Sequence, residues 1–214
     1  MFGRVASQWL AVGVAAWAMP ASPAAAADWR PLFDGATLDG WRSTPFGGEG
    51  DVTVADAAVR IAAGSSLSGI TWAGDFPRQG YEIELEARRV DGSDFFCGLT
   101  FPVGAEACSL IVGGWGGGVV GLSCIDGEDA ASNPTSLYRE FERERWYAVT
   151  VRVTAERIEC FLDGEPIVDQ PLAGRQISVR HEVLPSRPLG IATYATTADV
   201  RGIRWRPVDG EPSP

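Results

Sequence analysis

Apolar and polar residues alternate over short stretches of this chain, and almost no stretch repeats its apolar positions with the period of a helix. The stretch GYEIELEARRV alternates throughout. One of its faces carries Tyr81, Ile83, Leu85 and Ala87. The other face carries Glu82, Glu84, Glu86 and Arg88. This pattern predicts a strand with one face toward a core and the other toward solvent.

Further alternating runs follow one another, with turn residues between them. DVTVADAAVRIAAG predicts two short strands that meet just after Ala55, and WYAVTVRVT, RIECFLDG and EPIVDQ predict three more. The last two of these three meet at Asp163 and Gly164, a pair that is typical of a hairpin turn. Many short strands without alternating helices predict an all-β fold, namely an antiparallel two-sheet jelly-roll sandwich.

The stretch VGGWGGGVVG at residues 112–121 surrounds one tryptophan, Trp115, with six glycines. Together with its flanks it is too long for one strand, so we predict a turn near Trp115 and Gly116 between the strands CSLIVG and GVVGLSC. Trp115 then lies at a hairpin tip without large neighbours. Two interpretations remain open: a platform on which a sugar stacks, or an indole folded back onto the sandwich.

The beginning of the chain has the features of a secretory signal peptide. Arg4 is followed by the apolar run WLAVGVAAWAM and by the small residues of ASPAAAAD. We therefore expect residues 1–27 to be removed and residues 28–214 to form a single β-sandwich domain. The expected location is the periplasm or the exterior of the cell. No apolar run is long enough to predict membrane insertion.

The charge balance limits the classes of partner. The chain has a formal net charge of −10, and all 18 of its basic residues are arginine. Binding to nucleic acid or to an anionic membrane surface requires basic patches, so neither partner is expected. The absence of lysine also excludes Schiff-base chemistry.

Four cysteines in an exported chain favour disulfides over a metal site, because none of them forms a C-x-x-C pair. Of the three possible connectivities we favour Cys97 with Cys108 and Cys124 with Cys160. Buried free thiols are the alternative.

The stretch WRPLFDGATLDGWR at residues 29–42 resembles the opening signature of the 3-keto-disaccharide hydrolase domain family. The matching residues are Leu32, Phe33, Asp34, Gly35, Thr37, Leu38, Gly40 and Trp41. Two later stretches, RWYAVTVRVTAERIECFLDGEPIVD and PLGIATYATTADVRGIRWRP, resemble a hairpin shared with laminin-G-like modules and the last two strands of these domains. The resemblance implies a concanavalin A-like fold and a carbohydrate substrate.

The resemblance also implies a reaction on sugars that carry a ketone at C3. The ketone acidifies the C2 proton, a base removes it, the C1 substituent leaves, and water adds to the enone. The chain departs from the family pattern at two places. A Glu-x-Gln-like strand is replaced by CSLIVGGWGGG, and a His-Gly pair before the last strand is replaced by TYATTADV.

Several residues are therefore candidates for a rebuilt site. We expect Trp115 and Tyr138 to bind the sugar. The candidates for acid–base catalysis are Asp94, Glu128, Asp129 and the single histidine, His181.

Two further acidic clusters each have a functional and a bland interpretation. Asp126, Glu128 and Asp129 in IDGEDAASN suit calcium, whereas an acidic surface loop has the same composition. EIELE is similar to the Glu-x-Asp-x-Glu strand of retaining glucanases, whereas the polar face of any antiparallel strand gives the same letters.

The sequence thus predicts an exported carbohydrate-active protein that cleaves 3-keto-glycosides by hydrolysis or by elimination and hydration. The alternative is a non-catalytic glycan-binding or envelope interaction domain of the same fold. Possible calcium is the one cofactor that this interpretation includes.

Overall fold

A computed structural model describes residues 28–208 of the chain. The predicted signal peptide at residues 1–27 and the final residues 209–214 lie outside the described residues. Apart from one short 3-10 helix, His181–Ser186, the regular elements are strands. They are Arg30–Pro31 (β1), Trp41–Ser43 (β2), Val52–Ala55 (β3), Ala58–Ile61 (β4), Leu67–Trp72 (β5), Tyr81–Gly92 (β6), Cys97–Val103 (β7), Glu106–Gly114 (β8), Val119–Ser123 (β9), Leu137–Tyr138 (β10), Tyr147–Val153 (β11), Arg157–Leu162 (β12), Glu165–Pro171 (β13), Gly190–Tyr194 (β14) and Thr196–Pro207 (β15).

The strands form two antiparallel sheets that enclose one main core. The back sheet has the order β13-β12-β11-β6-β15-β4-β3, and β1 pairs with β15 at its side. The front sheet has the order β10-β9-β8-β7-β14-β5-β2. The predicted all-β two-sheet sandwich is confirmed. Among the described residues, no helix is long and apolar enough to cross a membrane.

The alternating segment around residues 81–87 forms the central strand of the back sheet, β6, as predicted. Its apolar row is fully buried, because it packs into the core between the sheets. The same core cluster contains Leu99, Phe101 and Leu110 of the front sheet. Period-two burial of this kind fixes the register, since a one-residue slip would turn the whole row toward solvent.

Residues of the family-like opening signature at residues 29–42 form hydrogen bonds that stabilise the fold. Asp34 closes a turn by accepting hydrogen bonds from the backbone N–H of Thr37 and of Ala36, at 2.8 Å each. These bonds lower the pKa of Asp34. The buried indole of Trp41 donates to the carbonyl of Leu32 at 2.8 Å. Asp34 and Trp41 of the signature therefore have structural roles in the fold.

The expected disulfides are absent from the described residues, where all four cysteines are buried free thiols. In the β7–β8 hairpin, Cys108 lies opposite Phe101 and Cys97 lies opposite Val112. Four residues of strand separate Cys97 from Phe101, about 13 Å, whereas a disulfide needs Cα atoms within about 7 Å. Burial raises the pKa of the Cys97 and Cys108 thiols to about 12. Cys124 and Cys160 are likewise unpaired, so the prediction of disulfides was wrong.

Candidate functional site

The outer face of the front sheet is built from small and polar side chains. In β8, Leu110 and Val112 point into the core, so Ser109 and Ile111 point outward. Ser123 at the end of β9 lines the same outer cavity as Ser109 and Ile111. The two serines are short, so this face offers a shallow floor over which later segments of the chain pass.

The segment that follows β13 covers part of this floor. Ser178 and Cys124 exchange two backbone hydrogen bonds, of 2.7 and 3.2 Å, which fasten the segment beside the end of β9. The 3-10 helix comes next, and its Val183 packs against Leu67 and Ala192 of the front sheet in a second, small apolar cluster. The helix thereby forms one wall above the sheet.

The result is a cavity of about 290 Å³ between the glycine-rich turn, the β6–β7 loop and the 3-10 helix. Three aromatic side chains form its walls, Phe95, Trp115 and Tyr194. The rings of Phe95 and Tyr194 stack with their centroids 6.0 Å apart. Trp115 is 44 % exposed and Tyr194 is 43 % exposed. Open aromatic faces beside polar groups are typical of a site that binds a small polar ligand with apolar faces.

Trp115 lies at the tip of the hairpin, as predicted, with a φ of +49°. The turn closes through hydrogen bonds from the N–H groups of Gly117 and Gly118 to the carbonyl of Gly114, at 3.1 Å each. The carboxylate of Asp94 accepts the N–H of Gly116 at 3.0 Å. Asp94 thus ties the turn to the β6–β7 loop.

The glycines around Trp115 have a second explanation, which the sequence alone did not reveal. A Cβ at Gly113 would lie 2.7 Å from the guanidinium of Arg89, and one at Gly118 would enter the ring of Tyr138. Protein side chains therefore approach this backbone from below and from one side. Trp115 itself lines the cavity.

Arg180 and Glu182 stand at the rim of the cavity and form an ion pair of 2.6 Å. Burial opposes the ionisation of Glu182, but the hydrogen bonds from its own backbone N–H and from Arg180 outweigh it and lower its pKa. The same pair raises the pKa of Arg180. Both groups are therefore charged at neutral pH, and a carboxylate and a guanidinium are available to one ligand.

The structure brings some of the predicted site residues together and separates others. Asp94 and Trp115 line the cavity. Asp129 touches its rim, because its carboxylate pairs with Arg180 at 3.1 Å. His181 is exposed and does not line the cavity, and Glu128 is exposed in the preceding loop.

Tyr138 is 72 % exposed and lies next to the same turn, outside the cavity. It pairs with Val119, at the start of β9. Side chains that lie opposite each other in an antiparallel pair share a face of the sheet, so Tyr138 lies on the same face as Val119. Its contact with Gly118 places the ring beside the backbone of the Trp115 turn.

The three acidic residues considered for calcium do not converge. Asp126 pairs with Arg175 at 2.7 Å and also accepts the backbone N–H of Gln176 at 2.8 Å. The backbone of Glu128 forms an isolated antiparallel β-bridge with that of Ile125. In the part of the chain that the structure describes, no three acidic, cysteine or histidine side chains form a group that would hold a metal ion.

The glutamates of EIELE face away from the core on the back sheet, where arginines neutralise them. The pairs are Glu82 with Arg152 and Arg206 at 2.6 Å each, Glu84 with Arg204 at 2.7 Å and Glu86 with Arg201 at 2.8 Å. We call this set the arginine ladder. Its carboxylates are structural ion-pair partners, which favours the bland interpretation of the motif.

Sequence reasoning missed Phe95, Tyr194, Arg180 and Glu182 as members of the site. The only signal for the charged pair was its position on either side of His181. In a short 3-10 helix neighbouring side chains diverge, so Glu182 reaches the cavity rim while His181 faces solvent. Phe95 and Tyr194 lie about a hundred residues apart, and they meet next to the β14–β7 pairing, where the N–H of Tyr194 donates to the carbonyl of Phe95 at 3.1 Å.

Comparisons with known proteins agree with this architecture. A family described as the 3-keto-alpha-glucoside-1,2-lyase-like domain matches residues 28–206. A search of curated proteins found no match to the sequence.

Solved structures share the fold at low sequence identity. The transglycosylase Crh5 superposes with a TM-score of 0.59 at 13 % identity, covering 87 % of this chain and 86 % of its own. A galectin-like protein of unknown function from Bacillus subtilis gives 0.57 at 11 %, covering 87 % and 97 %. The carbohydrate-binding module CBM66 from Bacillus subtilis gives 0.54 at 15 %, covering 78 % and 95 %.

Proposed function

Because the chain belongs to the 3-keto-alpha-glucoside-1,2-lyase-like domain family, we propose that it is an exported enzyme that cleaves 3-keto-glycosides. The cleavage proceeds by elimination followed by hydration, with net hydrolysis. The domain is carbohydrate-active by family, and the reaction and the export are our proposals. The Crh5 transglycosylase and the CBM66 module, which share the fold, are named for carbohydrate chemistry and carbohydrate binding.

The observation that carries the proposal is the joint presence of aromatic walls and an Arg–Glu pair in one cavity. The open indole of Trp115 and the phenol of Tyr194 suit the C–H face of a pyranose ring. Arg180 and Glu182 stand at the rim, where polar substituents of that ring would lie. The cavity volume of about 290 Å³ suits one sugar ring.

In the proposed reaction Glu182 acts as the general base. Its carboxylate takes the proton from C2, and the electron pair of that C–H bond forms an enolate with the C3 ketone. Arg180 donates hydrogen bonds to the enolate oxygen and stabilises its charge. Collapse of the enolate expels the C1 substituent and leaves an enone, and the protonated Glu182 passes its proton to the departing oxygen. The restored carboxylate then takes a proton from water as the water oxygen adds to C1, and that proton is returned to C2, which completes the net hydrolysis.

Asp94 has a supporting role in this proposal. Its carboxylate already accepts the backbone N–H groups of Phe95 and Gly116, at 2.8 and 3.0 Å. These bonds hold the loop and the turn that carry two of the aromatic walls. Asp94 therefore orients the sugar platform while Glu182 moves the proton.

A second candidate, non-catalytic glycan binding, is favoured by the state of the two carboxylates. Glu182 is held by Arg180, and Asp94 is held by backbone N–H groups. The chain also lacks the Glu-x-Gln-like strand and the His-Gly pair of typical members. A binding module needs the aromatic walls and no free base.

The test is incubation of the protein with a 3-keto-disaccharide while the released sugar and the enone absorbance are followed. The enzyme proposal predicts release by the wild type and a loss of at least about a hundred-fold in kcat for Glu182→Gln. Glu86→Gln is the matched control, because Glu86 belongs to the arginine ladder on the other sheet, and it should retain full activity.

Binding without release, measured by calorimetry with the same sugar, would replace the enzyme by the binding module. If the protein neither binds nor cleaves the sugar, both the enzyme proposal and the binding-module proposal are contradicted. Export is tested separately: the mature protein recovered from periplasm or medium should begin near Asp28, and recovery only from the cytoplasm would refute export.

A further inference from the structure

Arg89 occupies a position that the alternating pattern of β6 assigns to the core. The inward row of this strand ends Leu85, Ala87, Arg89, and the Arg89 residue is only 7 % exposed. Burying a guanidinium is costly unless its charge is compensated. None of the ion pairs between residues 28 and 208 includes Arg89. Burial lowers its pKa, and the charge of Asp94 offsets this in part.

One nitrogen of this guanidinium binds three backbone carbonyls. Nη2 of Arg89 donates to the carbonyl of Asp94 at 3.1 Å, to that of Gly113 at 3.2 Å and to that of Gly117 at 3.0 Å. The first carbonyl belongs to the β6–β7 loop, and the other two flank Trp115. A side chain of the back sheet thus reaches between the sheets and fastens two loops of the front-sheet cavity from below.

The local sequence is adapted to this contact. A Cβ at Gly113 would lie 2.7 Å from Nη2, and one at Gly117 would lie 3.4 Å from it. The guanidinium also lies over the ring of Phe96, 5.2 Å from its centroid. Nε of Arg89 has no hydrogen-bond partner. The hydrogen bonds of the buried guanidinium are therefore those of Nη2 to the three backbone carbonyls.

We propose that Arg89 is a positioning residue of the cavity, which locks the Trp115 turn to the Asp94 loop before a ligand arrives. The effect on ligand binding rests on the proposed function, since it requires that a sugar bind against Trp115. The effect on the turn does not. Preorganised loops bind more tightly because less conformational entropy is lost on binding.

The test compares three variants of the full chain. Arg89→Met keeps the aliphatic stem and removes every donor. Arg89→Lys keeps a charge on a shorter group that cannot reproduce the guanidinium fork. Arg42→Met is the matched control, because Arg42 is exposed on β2, away from the turn. Hydrogen exchange is followed at the amides of Gly116, Gly117 and Gly118, with the β11–β12 hairpin as the internal reference.

In Arg89→Met we expect the turn amides to exchange at least ten-fold faster while the reference hairpin is unchanged. Arg89→Lys should lie between it and the wild type, and Arg42→Met should match the wild type. Equal acceleration in the turn and the hairpin, or no acceleration, would overturn the proposal.

Calorimetry and steady-state kinetics with a 3-keto-disaccharide form the second arm. The Kd and KM of Arg89→Met should rise about ten-fold, with kcat changing less, since the base and the oxyanion partner remain. A faster-exchanging turn with unchanged Kd would overturn the positioning role. If the wild type binds no such sugar, the proposed function fails while the exchange arm still decides whether Arg89 holds the turn.

Discussion

Replacing Trp115 by alanine should weaken sugar binding and should cost less folding stability than the loss of a core tryptophan. A tryptophan covers roughly 150–250 Å² when buried. The indole is 44 % exposed, so a sugar that covers the open part removes about 70–110 Å² of apolar surface from water. At about 25 cal/mol per Å² this amounts to about 1.5–3 kcal/mol. The expected rise in Kd is therefore roughly ten- to hundred-fold.

The free energy of unfolding should fall by about 1–2 kcal/mol, because the protein itself covers part of the indole. Trp115 belongs to neither apolar cluster, and alanine retains the same cost of a positive φ. Trp41→Ala is the control, since that indole is buried and hydrogen-bonded, and it should cost about 3–5 kcal/mol. Urea unfolding and calorimetry with a 3-keto-disaccharide measure the two quantities. A stability loss near that of Trp41→Ala, or an unchanged Kd, would refute the platform.

Three further predictions concern charge and thiols. Arginines already neutralise Asp126 and Asp129, so excess EDTA should leave Tm unchanged, and a fall of several degrees would support a calcium site after all. Burial disfavours the charge on Asp199, but hydrogen bonds from Arg60 and Arg88 prevail and lower its pKa. Its stabilisation is therefore present above the unfolded pKa of about 3.9 and is lost as pH falls below it. Asp199→Asn should cost about 1–3 kcal/mol at pH 7, and this cost should shrink as the pH falls below about 3.9; urea melts across this range decide it. A thiol reagent should find four thiols in denaturant without reductant and none in the native protein, because the cysteines are buried, and fewer in denaturant would indicate a disulfide.

The fold was predictable because its determinants are local. Alternation of apolar residues along β6 and the Asp163-Gly164 turn each act over a few positions, and the structure places both as predicted. The hairpin tip at Trp115 followed from the glycine run in the same way. Such signals survive in a single sequence because they arise between near neighbours.

The site was only partly predictable because it assembles from distant segments. Trp115 and Asp94 were identified from their own surroundings. Glu182 lies at the cavity because the segment after β13 is fastened beside β9, and no local pattern encodes that crossing. The calcium hypothesis counted the carboxylates of one loop, but Arg175 and Arg180, about fifty residues away, neutralise two of them.

The pairing of β1 with β15 places Arg30 directly opposite Trp205, at the side of the back sheet. The two ends of the described chain therefore leave the sandwich next to each other, and a short linker would join them. In a circular permutant, the new chain ends are best placed in the β12–β13 turn at Gly164, because a Cβ there would meet nothing within 4 Å. Such a circular permutant should fold with its cavity intact, and its new ends would lie at the β13 edge of the same back sheet.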